Sequence, residues 1–247
     1  MGSILDRYEA LLLDMNGTFM FGEDRFGPAQ DYYSTYRDLS GSRLTPSAVR
    51  QEVEDCYDRM AAMYEDPSHI DRFPQVREVL ARSPACAGLP AAEVELIESV
   101  IARHERGRVP DEYAAALCRL AVTHRLGVVT NIWSRKPPWL DELRRAGVLD
   151  LFTVAVFSSD GPTIKPSPSL FRQALTALAV PPRSVVVVGD SLRCDVGGAV
   201  AAGLESVWIY PSGAFRAAGS PSPTFEVRSV LGLVHDEPDV APYPAGM

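Results

Sequence analysis

The chain has 247 residues, 46% of them apolar and 23% charged, with a formal net charge of −8. That length buries one sizeable core with room for a smaller inserted unit. The acidic balance argues against a general nucleic-acid-binding role. All apolar runs are far shorter than a membrane span. The opening stretch MGSILDRYEA lacks the basic-then-apolar order of a secretory leader. A soluble cytoplasmic protein is the expectation, with no nucleic-acid or membrane partner; the oligomeric state is not legible.

The first apolar run, ALLL (10–13), has strand length and ends in Asp14, which Met15, Asn16, Gly17 and Thr18 follow. The region from about 28 to 108 shows no strand. TPSAVRQEVEDCYDRMAAMYED (45–66) opens on Thr–Pro and spaces its apolar residues by three and four, which predicts a helix. PAAEVELIESVIARHERG (90–107) predicts another, with Glu93 and Glu95 early and Gly107 at the end. Further strands are expected at LGVVT (126–130), FTVAVF (152–157), SVVVVG (184–189) and SVWIY (206–210), and helices at 137–146, 168–179 and 194–202. Continuous, β-branched runs fit parallel strands covered on both faces. Their alternation with helices reads as an α/β fold, a Rossmann-like parallel sheet core carrying an inserted all-helical domain. The expected boundaries are 1–20 and 109–235 for the core, 21–108 for the helical insertion and 236–247 for a loosely held tail.

Polar residues gather where the strands end. Asp14 follows the first, Thr130 and Asn131 close GVVTN, and Asp190 follows VVVVG. Ligands of open parallel sheets bind beyond these carboxyl ends. Lysine is scarce, only Lys136 and Lys165 among 24 basic residues, so Lys165 in TIKPSPSLF draws attention as a compact point charge. The four cysteines (Cys56, Cys86, Cys118, Cys194) have no metal-like spacing and read as reduced structural thiols. His69, His104, His124 and His235 fit no ligand pattern, and Arg103, Arg106 and Arg108 read as a solvated helix end.

Four motifs stand in a fixed order: DMNGT (14–18), VVTN (128–131), IKPSPSLF (164–171) and GDSLRCDVGGAVAAG (189–203). Together they resemble the haloacid dehalogenase superfamily, over roughly residues 8–20 and 110–210. The resemblance implies a Mg²⁺-dependent phosphohydrolase with a helical cap, acting on a small phosphorylated metabolite. In it Asp14 is the nucleophile that becomes an aspartyl phosphate. Thr130 and Asn131 donate to the phosphoryl oxygens, and Lys165 neutralises nucleophile and substrate. Asp14, the backbone carbonyl of Asn16, Asp190 and Asp195 hold the Mg²⁺. Each role suits phosphoryl transfer, which needs charge neutralised around the moving group.

Asn16 departs from the family's phosphatases, which carry a second Asp there as acid and base. An amide has no titrating proton near neutrality, and general acid–base catalysis is worth roughly 10²–10⁴-fold. The absence of lysine from residues 19–110 removes a phosphonatase reading, which needs a cap lysine. The two carboxylates of GDSLRCD disfavour metal-free dehalogenation, and nothing else resembles a P-type ATPase. Four readings stay open: a phosphatase of restricted substrates, a phosphotransferase, a catalytically silent protein binding a phosphorylated ligand or partner, and an Asp-to-Asn change that traps substrate.

Overall fold

The computed structural model describes residues 4–210 and 217–234. The expected tail at 236–247 and His235 lie outside the described residues. Six parallel strands, β1 (Ala10–Leu13), β2 (Arg125–Thr130), β3 (Phe152–Phe157), β4 (Val185–Gly189), β5 (Glu205–Ile209) and β6 (Phe225–Val227), form one sheet in the order β3-β2-β1-β4-β5-β6. β1 is central, paired in register with β2 and β4.

Side chains alternate across a strand, so each central run must be apolar throughout. Leu11, Leu13, Val128, Val186 and Val188 enter one core, which also holds Leu117 of α5 (Asp111–Thr123) and Trp139 of α6 (Pro137–Arg145). Ala10, Leu12, Val129, Val185 and Val187 enter the opposite core with Phe171 and Ala174 of α7 (Pro168–Leu178) and Ala199 of α8 (Gly197–Ala202). Helices on both faces make this an α/β Rossmann-like sheet, as the alternation predicts.

The segment after β1 holds α1 (Tyr32–Asp38), α2 (Pro46–Glu65), α3 (Val76–Ala81) and α4 (Ala91–Glu105) around their own cluster, which includes Tyr32, Tyr36, Val53, Met60, Leu80, Ile97 and Ile101. α2 starts where the Thr–Pro signal puts it: Thr45 Oγ1 accepts from the Ala48 N–H at 3.2 Å, and proline fills the first turn. The helical segment joins the sheet through a ribbon. Phe21 and Arg108 exchange backbone hydrogen bonds of 2.9 and 2.8 Å, and the Asp24 and Arg25 N–H groups donate to Glu105 and His104 carbonyls. The Arg25 guanidinium pins the ribbon by donating to the carbonyls of Gly22, Arg103 and Arg106.

Several elements are additions to the sequence reading. α1 and α3 have only 7 and 6 residues, too short for a decisive apolar stripe. α5 and the three-residue β6 also went unforeseen; β6 gains its identity from pairing with β5 at the sheet edge. The helix expected over 194–202 is present, but it starts two residues earlier and its first turn is wider than an α-turn. A π-turn covers Leu192–Val196 and α8 begins only at Gly197, while Ser191 Oγ caps the turn by accepting from Cys194 N. No described helix is long and apolar enough to cross a membrane.

Candidate active site

Because β1 lies between β2 and β4, its carboxyl end brings Asp14 beside Asn131 and Asp190. Lys165 joins them from the loop before α7, and the helical segment fixes that loop. Phe73 N donates to Pro162 O at 2.6 Å, Ile164 N to Ile70 O at 2.8 Å, and Ser167 Oγ to Asp71 Oδ1 at 2.7 Å.

The Lys165 ammonium is 2% exposed and spends all three protons: on Asp14 Oδ1 (2.6 Å), Asp195 Oδ1 (2.6 Å) and the Val129 carbonyl (3.0 Å). Burial opposes its charge, yet Asp14 and Asp195 win and raise its pKa above the ordinary lysine value. Asp195 is also fixed at its other oxygen, which accepts from Ser191 N at 3.0 Å. Burial pushes Asp195 up to about 6 against the pull of Lys165. Asp190 is pushed up to about 7, first by burial and then by the charges of Asp14 and Asp195.

Asp14, Asp190 and Asp195 each offer a carboxylate oxygen, all within 4.8 Å of one another. One ammonium cannot balance three carboxylates at that spacing. An all-oxygen donor set with surplus negative charge is what a hard divalent cation takes. The residues fit Mg²⁺.

Two glycines make this geometry possible. Gly17 has φ +72°, and a Cβ there would lie 2.3 Å from Asp190 Oδ2. At Gly189 a Cβ would lie 2.3 Å from Asp195 Cγ. Gly17→Ala therefore meets both strain and collision. It is expected to lower stability by about 1–3 kcal/mol and to weaken Mg²⁺ binding, measured by urea unfolding and by calorimetric titration with the metal.

The other expected site residues fall in different places. Asn131 faces the cavity, but its amide clamps the Lys165 backbone. Oδ1 accepts from Lys165 N at 2.8 Å, while Nδ2 donates to Lys165 O at 3.3 Å and to Tyr64 Oη at 3.0 Å. Thr130 is wholly buried; its hydroxyl has no partner among the described residues and it does not line the cavity. Asn16 lines the cavity with its side-chain oxygen buried and unpartnered. Its loop turns tightly as the N–H groups of Thr18, Phe19 and Met20 converge on the Met15 carbonyl.

The cavity of about 240 Å³ also has walls the sequence reading missed: Tyr64 from α2, Glu23 and Asp24 from the ribbon, Glu105 at the end of α4, and Trp133. None belongs to a motif, and no signal in the sequence marks them as neighbours of Asp14. Glu105 is buried and accepts from the N–H groups of Trp133 (2.5 Å) and Ser134 (3.0 Å). Burial pushes its carboxyl up to about 7 despite those donors. Away from the site, His104 is buried between Thr35 Oγ1 and the Arg25 carbonyl, each at 3.0 Å. Arg103 and Arg108 are exposed, whereas Arg106 is half-buried and reaches Glu142 at 3.6 Å.

The model of haloacid dehalogenase-like hydrolases matches residues 8–203. Among curated proteins, the chain is 33% identical over 124 residues to N-acylneuraminate-9-phosphatase of Mus musculus, covering 50% of this chain and 49% of that one. It is 36% identical over 124 residues to phosphoserine phosphatase of Thermus thermophilus, covering 49% of each. The chain thus spans about half the length of the curated relatives it matches. Among solved structures, the HAD phosphatase from Thermococcus onnurineus superposes with a TM-score of 0.61 at 27% identity, over 91% of this chain and 95% of that one. The 2-haloacid dehalogenase from Pseudomonas syringae pv. Tomato DC3000 gives 0.62 at 25% identity, over 92% and 96%. The strand order, the cluster at the strand ends and the match over 8–203 agree: this chain belongs to the haloacid dehalogenase-like hydrolases.

Proposed function

We propose that this protein is a Mg²⁺-dependent phosphohydrolase that acts on a small phosphorylated metabolite through an aspartyl phosphate on Asp14. The observation that carries the reading is the Asp14 carboxylate itself. Lys165 holds Oδ1 at 2.6 Å, and two further carboxylates crowd the same point. Among the described residues only Lys165 donates to this carboxylate, which leaves Oδ2 for bond formation. The curated relatives named above are phosphatases by name, which supports the substrate class.

In the first half-reaction an Asp14 oxygen bonds to phosphorus as the leaving oxygen departs with its electron pair. In the second, water attacks phosphorus and Asp14 is released with inorganic phosphate. Splitting the hydrolysis this way replaces one slow step by two easier ones. Lys165 orients the nucleophile and offsets charge beside it. Asp14, Asp190, Asp195 and the Asn16 backbone carbonyl would hold Mg²⁺. When bound, the cation supplies neutralisation of the phosphoryl oxygens. Asn131 fixes the Lys165 backbone from the side, and Thr130 supports the same strand end.

Residues 21–108 act in this reading as a cap that closes over the site and excludes water. Its contacts to the core beside the cavity support that role: Tyr64 to Asn131, and Arg193 Nη1 to the Tyr64 carbonyl at 3.2 Å. Hydrolysis of p-nitrophenyl phosphate tests the proposal. It is expected to stop on chelation with EDTA and to return when Mg²⁺ is added. Turnover indifferent to EDTA would remove the metal from the mechanism.

A further inference from the structure

Asn16 leaves the proposed reaction without a proton donor for the leaving group, yet the cavity holds another carboxyl that the motifs do not include. Glu23 lines the same cavity as Asp14, Asn16 and Lys165. Its Oε2 is buried and, among the described residues, has no hydrogen-bond partner. That oxygen lies against the backbone of Gly107, where a Cβ would come within 3.2 Å of it. The ribbon that carries Glu23 is held on both sides: Phe21 pairs with Arg108, Asp24 N bonds Glu105 O, and Arg25 pins Gly22 O. A carboxyl on so braced a segment is positioned, as a catalytic acid must be.

The other two carboxyls of this wall are less suited. Both oxygens of Glu105 are occupied by the N–H groups of Trp133 and Ser134. Asp24 is exposed, whereas Glu23 keeps a carboxylate oxygen buried beside the active-site loop. Burial, followed by the Asp14 charge, raises the Glu23 pKa above the ordinary glutamate value, the direction that keeps a proton available.

We propose that Glu23 is the general acid and base of this site, in place of the carboxyl that Asn16 lacks. The inference rests on the phosphohydrolase reading. As an Asp14 oxygen bonds to phosphorus and the ester P–O bond breaks, the leaving oxygen takes the broken bond's electron pair and the Glu23 proton. In the second half-reaction the Glu23 carboxylate takes a proton from the attacking water. The water oxygen bonds to phosphorus, and the P–O bond to Asp14 breaks, returning Asp14 as a carboxylate and Glu23 as an acid.

The test compares kcat/KM for p-nitrophenyl phosphate and for an alkyl phosphate in the wild type, Glu23→Gln and Glu23→Gln/Asn16→Asp. This parameter reports departure of the leaving group, and an alkoxide needs the proton far more than p-nitrophenolate does. Glu23→Gln is expected to lower both values, with the alkyl-to-nitrophenyl ratio falling by about tenfold or more. Adding Asn16→Asp is expected to restore the ratio, because it returns a carboxyl at the neighbouring position; a misfolded protein would show no such rescue. An equal loss on both substrates, or no loss on either, overturns the role of Glu23. Wild-type turnover that survives Asp14→Ala, or no wild-type turnover at all, overturns the hydrolase reading and the inference with it.

Discussion

Asp14→Asn is expected to lower p-nitrophenyl phosphate hydrolysis by on the order of 10³-fold or more, since loss of a covalent nucleophile reaches about 10⁶ in the best-measured case. The amide keeps the shape of the side chain and one oxygen for the Lys165 ammonium, which now donates at 2.6 Å. Stability should therefore change little, so a matched urea unfolding curve separates lost chemistry from lost fold. Steady-state release of p-nitrophenol checks the rate. Intact-mass measurement checks that the phosphorylated form, 80 Da heavier by about one HPO₃ group, disappears. Retention of more than about a tenth of the wild-type rate would move the nucleophile elsewhere.

Lys165→Met is expected to damage stability as well as rate. The substitution fills a similar volume but leaves Asp14 Oδ1, Asp195 Oδ1 and the Val129 carbonyl without their donor. Breaking a buried pair by removing one partner costs about 3–5 kcal/mol, read as a lower urea midpoint at pH 7. The pH dependence has a definite sign. Asp195 is already pushed up to about 6 with Lys165 beside it, and loss of that cation pushes it further. The folded variant then holds a proton that the unfolded chain has released, so its stability falls as pH rises above the unfolded value near 3.8. The gap to wild type should accordingly be narrower at pH 5 than at pH 8. Added Mg²⁺ is expected to recover part of the loss by supplying a different positive charge to the same carboxylates. A variant as stable as wild type at both pH values would contradict the burial of this ion cluster.

The sequence by itself determined the α/β class, because a central parallel strand must be apolar on both faces, and ALLL and VVVV are. It also determined the chemistry available at the strand ends. Asp14, Asn131 and Asp190 each follow a recognisable strand, and parallel strands in one sheet must deliver those residues to one edge. The helix beginning at Thr45–Pro46 was legible for a similarly local reason, its cap and proline acting within a single turn.

Only the tertiary structure decided what depends on neighbours distant in sequence. β6 becomes a strand because β5 offers it an edge, not through any pattern in Phe225–Val227. Asn131 holds the Lys165 backbone, a contact across 34 positions that no motif spacing expresses. The role of Gly17 follows from the carboxylate of Asp190 passing where its Cβ would stand. Glu23, Asp24 and Glu105 reach the cavity because two chain segments pair as a ribbon, which sets the far end of α4 beside the loop after β1. Local patterns fix strands, helices and the residues that end them. Which carboxyl is left buried and, among the described residues, unpartnered in the wall of the Asp14 cavity is a property of packing between those pieces, and the structure turns the missing acid at Asn16 into a question about Glu23.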